Sequence, residues 1–336
     1  MQGETEDQDE AMQIDGRPAL RDPEDCAPYL GLQRGRIAVQ ALMSTFLDAG
    51  QMWAEEAATG RLLEGAYPHV QFRKFTTSEE ARNGADWLWW WIDHTGTSFG
   101  MLVQAKILKR RGGGWHIDFG YRRRATQPTQ VHRLFVTAEK FGVPAVYILY
   151  CGDRIYRAGL DCGSSVHPDG HCRERERAGV TILTAVVTDW LLPLAGATAA
   201  AKAFHESTPL EDIADPDRPQ SFLRPLGKVS PEVSQFMLRP QDGARQVAKD
   251  LLEPVHRIRR SQFSAALLDR VESTDDALFH DLPADRGHFG VPYIPHILGG
   301  LRRTAPGYVE NIILGRTPPA WVTDSVEGIV VIRLPR

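Results

Sequence analysis

Apolar residues at three- and four-residue steps mark the first regular stretch of the chain. Between Ile37 and Leu63 they are Val39, Leu42, Met43, Phe46, Leu47 and Met52, a spacing that predicts a helix. His69–Phe75, HVQFRKF, alternates and carries β-forming residues, so a strand follows. Asp86–Ile92 holds Trp87, Trp89, Trp90 and Trp91. The turn sequence DHTGTS separates it from the apolar run Phe99–Leu108, and the pair predicts a β-hairpin. In PTQVHRLFVTAEKFG, Val131, Leu134, Phe135 and Ala138 recur at helical spacing. Pro128 stands where a first helical residue belongs and Gly142 where a C-terminal cap belongs. Val143–Tyr150 is continuously apolar, as a strand buried on both faces should be.

The predicted order is helix, strand, strand, strand, helix, strand, and its last three elements form a crossover unit. Further on, a strand or helix is expected near residues 180–194, a helix over Gln246–Val271, and a strand in GIVVIRLP at the C-terminal end. The expected fold is α/β, an αβββαβ core with a mixed central sheet and a mostly helical C-terminal extension. Residues 1–25 are acidic and read as a disordered tail. Residues 26–200 form the α/β domain, and residues 201–336 the extension with its terminal strand.

Composition narrows the class. Of 336 residues, 42% are hydrophobic and 24% charged, which is ordinary globular usage. No apolar run approaches the ~20 residues of a membrane span, so no membrane partner is expected. The four cysteines, Cys26, Cys151, Cys162 and Cys172, are too sparse for a disulfide scaffold, and the N-terminal stretch is acidic where a secretion signal is basic. A reducing cytoplasm is the expected compartment.

The net charge is −4, yet from Gly100 to Leu160 the acids are only Asp118, Glu139 and Asp153. Against them stand Lys106, Lys109, Arg110, Arg111, Arg122, Arg123, Arg124, Arg133, Lys140, Arg154 and Arg157. Such a segment suits a polyanion, because Lys and Arg displace its counterions. Trp115, His116, Phe119 and Tyr121 are interleaved with the arginines and are candidates to stack on bases. A solvated loop with paired arginines is the plainer alternative.

Hairpin geometry points to a site. With the turn at Thr95-Gly96, Asp86 falls opposite Gln104 or one residue away. Gln104 and Lys106 share a face because side chains alternate. Asp86, the Gln104 amide oxygen and the Ala105 carbonyl are oxygen donors of the kind Mg²⁺ prefers. Lys106 is placed to steady a water or the charge developing on a phosphate. Glu79 and Glu80 precede Asp86, and Glu55 and Glu56 lie late in the first predicted helix. The competing reading of Asp86 and Lys106 is a rim ion pair. The tryptophans read as packing: Trp87, Trp89 and Trp91 on one side of a buried strand, Leu88, Trp90 and Ile92 on the other.

These residues resemble the PD-(D/E)xK nuclease superfamily, with its restriction-endonuclease-like fold. Its signature is an acid at the start of the second strand and (D/E/Q)-x-K on the third, here Asp86 and Gln104-Ala105-Lys106. The Q-x-K form is similar to Mrr-like restriction enzymes. The longer run EEARNGADW…QAKIL resembles a group of bacterial proteins sharing a GADW–QAK pattern. The resemblance covers roughly residues 37–195 and implies Mg²⁺- or Mn²⁺-dependent hydrolysis of DNA, with RNA left open, in defence against foreign DNA. It implies catalytic roles for Asp86, Gln104, Lys106 and Glu80, and metal ligation by Asp86, Gln104, Ala105 and Glu80. Nucleic-acid contacts are expected from Lys109, Arg110, Arg111, Arg122, Arg123, Arg124 and Gln130, the last at the start of a helix beside the site, with His132. A homodimer or a defence-system partner protein is compatible with it. Gln in place of a second acid lowers the charge of the site. The alternative is therefore a nuclease-like protein without turnover that binds nucleic acid or a protein.

CGSSVHPDGHC, Cys162–Cys172, holds two cysteines and two histidines. Zinc needs four tetrahedral ligands. Adjacent His171 and Cys172 reach one ion poorly and no C-x-x-C is present, so a polar loop is the expected reading. No Walker motif, nucleophile elbow or dinucleotide fingerprint is found.

Overall fold

The computed structural model describes residues 27–75, 87–121, 126, 128–163, 167, 172–194, 196–264, 270–271 and 274–335. The acidic tail expected over residues 1–25 lies outside them.

The stretch expected as one helix is two, α1 (Ala27–Asp48) and α2 (Glu55–Ala66), packed on each other. The break is at Gly50, where φ is 68° and the Gln51 N–H turns back to the Phe46 carbonyl at 2.8 Å. That is a glycine-assisted helix ending, and hydrophobic spacing alone does not reveal it.

The strands are β1 (Val70–Lys74), β2 (Trp87–Ile92), β3 (Ser98–Ile107), β4 (Lys109–Arg111), β5 (Gly114–His116), β6 (Ala145–Tyr150), β7 (Val180–Thr184), β8 (Thr208–Pro209), β9 (Arg270–Val271), β10 (Leu282–Pro283), β11 (Leu301–Arg302) and β12 (Gly328–Arg333). Eight of them form one sheet in the order β1-β12-β2-β3-β6-β7-β8, with β11 also paired to β3. β4 and β5 make a separate hairpin, as do β9 and β10. The sheet is mixed: β12 runs parallel to β2 and β3 parallel to β6, while the β1–β12, β2–β3 and β6–β7 pairs are antiparallel. The fold is α/β with a mixed central sheet and a largely helical C-terminal part.

The sheet order departs from the chain order at one strand. β1 does not neighbour β2; β12, from the far end of the chain, lies between them. GIVVIR is apolar at nearly every position, and all its residues but Arg333 are buried. A strand without a polar face is stable only where both faces are covered. The hydrophobic core accordingly runs as one cluster from Leu32 to Ile332, through Phe236 and Leu251 of the C-terminal helices. The boundary expected near residue 200 does not divide that core.

Helix Gln130–Phe141 starts two residues after Pro128, with Thr129 as N-cap accepting from the His132 N–H, and ends at Gly142 with φ 60°. The segment near 180–194 is both strand and helix: β7 leads directly into helix Ala185–Leu191. The helix expected over Gln246–Val271 spans Gly243–Arg260 instead. Its basic last turn, Arg257, Arg259 and Arg260, suits the negative end of the helix dipole. No helix among the described residues is long and apolar enough to cross a membrane.

Candidate active site

β2 and β3 form the predicted hairpin, with Asp93 and Thr97 closing the turn. The register runs from Ile92↔Ser98 to Trp87↔Val103, as the turn at Thr95-Gly96 requires. Asp86 precedes Trp87 by one residue, and Gln104 follows Val103 by one. Asp86 itself lies outside the described residues, as do Glu79, Glu80, Arg122, Arg123 and Arg124. Trp87, Trp89, Trp90 and Trp91 are all buried, which makes them sheet packing. Gly100 makes room for one of them: a Cβ there would stand 2.6 Å from the Trp90 ring.

Among the described residues the β2–β3 ladder reaches Trp87↔Val103. On its other side β3 pairs with β6, with Gln104 opposite Tyr147, Ala105 opposite Ile148 and Lys106 opposite Leu149. Gln104 and Lys106 therefore project from one face, Ala105 from the other. Gln104 and Ala105 are buried, and the Lys106 side chain is only 7% exposed. An ammonium so enclosed requires partners. Lys106 Nζ donates to Gln130 Oε1 at 2.7 Å and stands 3.7 Å from Glu55 Oε2.

Each partner has a local reason for its place. Glu55 and Glu56 open α2, where carboxylates complement the positive helix end. Gln130 is the first residue of its helix, its N–H held by the Tyr121 carbonyl at 2.9 Å. Around Lys106 lies an open cleft of about 310 Å³, bordered by Glu55, Glu56, Lys109, Asp118, Tyr121 and Gln130. It is shallow and polar, unlike an apolar small-molecule pocket. The sequence offered Gln130 as a phosphate contact; the structure joins it to Lys106. Asp118 belongs to the cleft only through the tertiary fold, and nothing in its local sequence marks it, whereas Tyr121, a stacking candidate in the sequence, does border it.

The basic hairpin stands next to the cleft. Lys109, Arg110 and Arg111 are all exposed in β4, and the Arg110 guanidinium lies 6.0 Å from the centre of the Trp115 ring. The aromatic candidates fare differently. Phe119 is buried against Tyr147, and Trp115 packs edge-on to Tyr156. His116 lies against Gly196. Tyr121 is exposed at the cleft rim. Phe119 is thus a core residue: the apolar environment beneath the hairpin takes its ring out of reach of a base. His132 is exposed and does not border the cleft.

Comparison with known proteins places the chain in one family. A model described as Family of unknown function (DUF6615) matches residues 53–334. The chain belongs to that family. The match takes in α2, every strand and the cleft around Lys106. No curated protein and no solved structure matches the chain.

Proposed function

We propose that the cleft at the end of β3 hydrolyses phosphodiester bonds of DNA with the help of Mg²⁺ or Mn²⁺. The observation that carries this reading is Lys106: a nearly enclosed ammonium beside a carboxylate and an amide oxygen, near the C-terminal end of β3 and next to a basic hairpin. The donors bordering the cleft are oxygens, from Glu55, Glu56, Asp118 and Gln130, with Gln104 buried on the same face of β3, and oxygen donors suit a hard divalent ion. Among the described residues these carboxylates do not close a three-ligand group. The reading therefore assigns the remaining acid to Asp86, whose chain neighbour Trp87 pairs with Val103 beside Gln104.

The roles follow from chemistry. A bound divalent cation would supply Lewis acidity toward the phosphate and lower the pKa of a water. Lys106 orients that water or compensates charge on the phosphoryl oxygens. Glu55 and Gln130 hold the ammonium in place. Lys109, Arg110 and Arg111 draw in the strand by neutralising phosphates, and binding should weaken steeply with salt.

Purified protein incubated with plasmid and linear DNA and Mg²⁺ or Mn²⁺ should nick or cut them. Lys106→Met and Asp86→Asn should each lower the rate by roughly 10²-fold or more while leaving the circular dichroism spectrum intact. Cleavage by the variants at the wild-type rate would refute the assignment. Gln104 in place of an acid, together with the absence of a three-carboxylate group among the described residues, favours one second reading: a DNA-binding protein without turnover. Salt-sensitive binding with no cleavage in either metal would select it.

A further inference from the structure

The segment Cys162–Cys172 connects helix Arg154–Ala158 to helix Arg173–Arg177, well away from the β3 cleft in the sequence and in its chemistry. The ends of this connection are tied. The Gly163 N–H donates to Glu174 Oε2 at 2.7 Å, and Arg175 Nε to the Leu160 carbonyl at 2.8 Å. Within it, ligand atoms of Cys162, His167 and Cys172 all lie within 4.8 Å of one another, and Cys162 Sγ is 3.3 Å from His167 Nε2. It is the one such cluster of His, Cys, Asp and Glu among the described residues. Neither cysteine is in a disulfide.

We propose that Cys162, His167 and Cys172 bind a zinc ion. Two thiolates and an imidazole are the ligands zinc takes in preference to Mg²⁺. Tetrahedral coordination with Zn–S of ~2.3 Å and Zn–N of ~2.05 Å puts sulfur ~3.6 Å from nitrogen and ~3.8 Å from sulfur. Both separations fall inside the observed 4.8 Å envelope, so closing on an ion needs only small rotations of the side chains. His167 takes the place that the sequence could not give to His171, because it stands five residues from each cysteine. Three protein ligands leave a fourth tetrahedral position for water or another donor.

Binding displaces the two thiol protons, and no redox change accompanies it. The ion clips the connection onto the first residues of helix Arg173–Arg177, where Cys172 is the N-cap. Arg177 of that helix pairs with Asp212 in the C-terminal part. Zinc at this position fixes an element that joins the two halves of the chain, and it is separate from any divalent ion at Lys106.

Full-length protein purified without chelator should contain about one zinc per chain by elemental mass spectrometry. Replacing zinc by Co²⁺ should give the intense near-ultraviolet thiolate-to-cobalt band and the visible bands of a tetrahedral site. Cys162→Ser, Cys172→Ser and His167→Ala should each lose the metal or alter the cobalt spectrum, whereas Cys151→Ser, buried just after β6, should keep both. Should the cysteine variants fail to fold, the metal content and cobalt spectrum of the wild type still decide. Metal-free wild type after growth in zinc-replete medium, with no cobalt band, overturns the proposal. So does an intact mass two hydrogens low in protein prepared without oxidant, which would mean a Cys162–Cys172 disulfide. None of these readouts involves DNA, so failure here leaves the β3 cleft untouched, and failure of the cleavage assay leaves this site untouched.

Discussion

Lys106 carries its charge where solvent reaches it poorly, and two oxygens 2.7 and 3.7 Å away answer for it. That makes it costly to alter. His296 shows the opposite solution to burial, neutrality. Its Nε2 accepts the Ala145 N–H at 3.1 Å, and burial pushes its pKa down to about 4. A histidine in an unfolded chain titrates near ~6.5. Between pH ~6.5 and ~4 the unfolded chain takes up a proton that the native ring refuses. Stability is therefore full above pH ~6.5 and falls as the pH drops to ~4, by up to ~3 kcal/mol. Asp250, which burial pushes up to about 7, acts in the opposite sense over the same range. The informative quantity is thus the difference between wild type and His296→Gln. Urea denaturation at pH ~7.5 and ~4.5 should show wild type losing more stability than the variant on acidification. Equal losses would remove His296 from the account.

At the scale of elements, the helix Gln130–Phe141 positions one of the two oxygens facing Lys106. Its start depends on the Thr129 hydroxyl, which accepts the His132 N–H at 3.3 Å, and its end on Gly142 in the left-handed conformation. Thr129→Ala should cost about 1 kcal/mol, read as a lower urea midpoint at constant slope. On the proposed reading, DNA cleavage should fall with it, because the N-terminal turn carries Gln130. Both ends of this helix were legible in the sequence to within two residues, since caps are local chemistry. The break at Gly50 was not. The apolar residues keep a helical spacing from Val39 to Met52, but the helix ends at Asp48, turns at left-handed Gly50, and resumes only at Glu55. That break matters for the site, because it makes Glu55 the first residue of a new helix and so points it at Lys106.

For the whole molecule, the decisive feature is β12. It bridges β1 and β2 and pairs with each over five or six residues. Removing residues 324–336 should open a gap between β1 and the rest of the sheet and expose Trp87 and Trp89 of β2. The expected result is loss of cooperative unfolding, with red-shifted tryptophan fluorescence and a collapsed near-ultraviolet circular dichroism signal. Residues 26–200 expressed alone should behave the same way. A truncated chain that still unfolds cooperatively would mean that the N-terminal part holds its core without this strand.

The sequence by itself determined most of the elements of the β2–β6 region and one register. Alternation, caps and turn residues act over a few positions, so the hairpin of β2 and β3, the helix after it and the buried β6 could be read directly. From the same alternation came the shared face of Gln104 and Lys106 and the packing role of the tryptophans. What only the tertiary structure decided were contacts between residues far apart in the chain: β12 beside β2, Glu55 and Gln130 at Lys106, and Phe119 beneath Tyr147. The cluster of Cys162, His167 and Cys172 also escaped, although its members are only five residues apart. Loop closure depends on the bonds that tie its ends, and no periodic pattern encodes those. Periodicity tells which face of an element is apolar. Which other element covers that face is settled by the shape and volume of the assembled core.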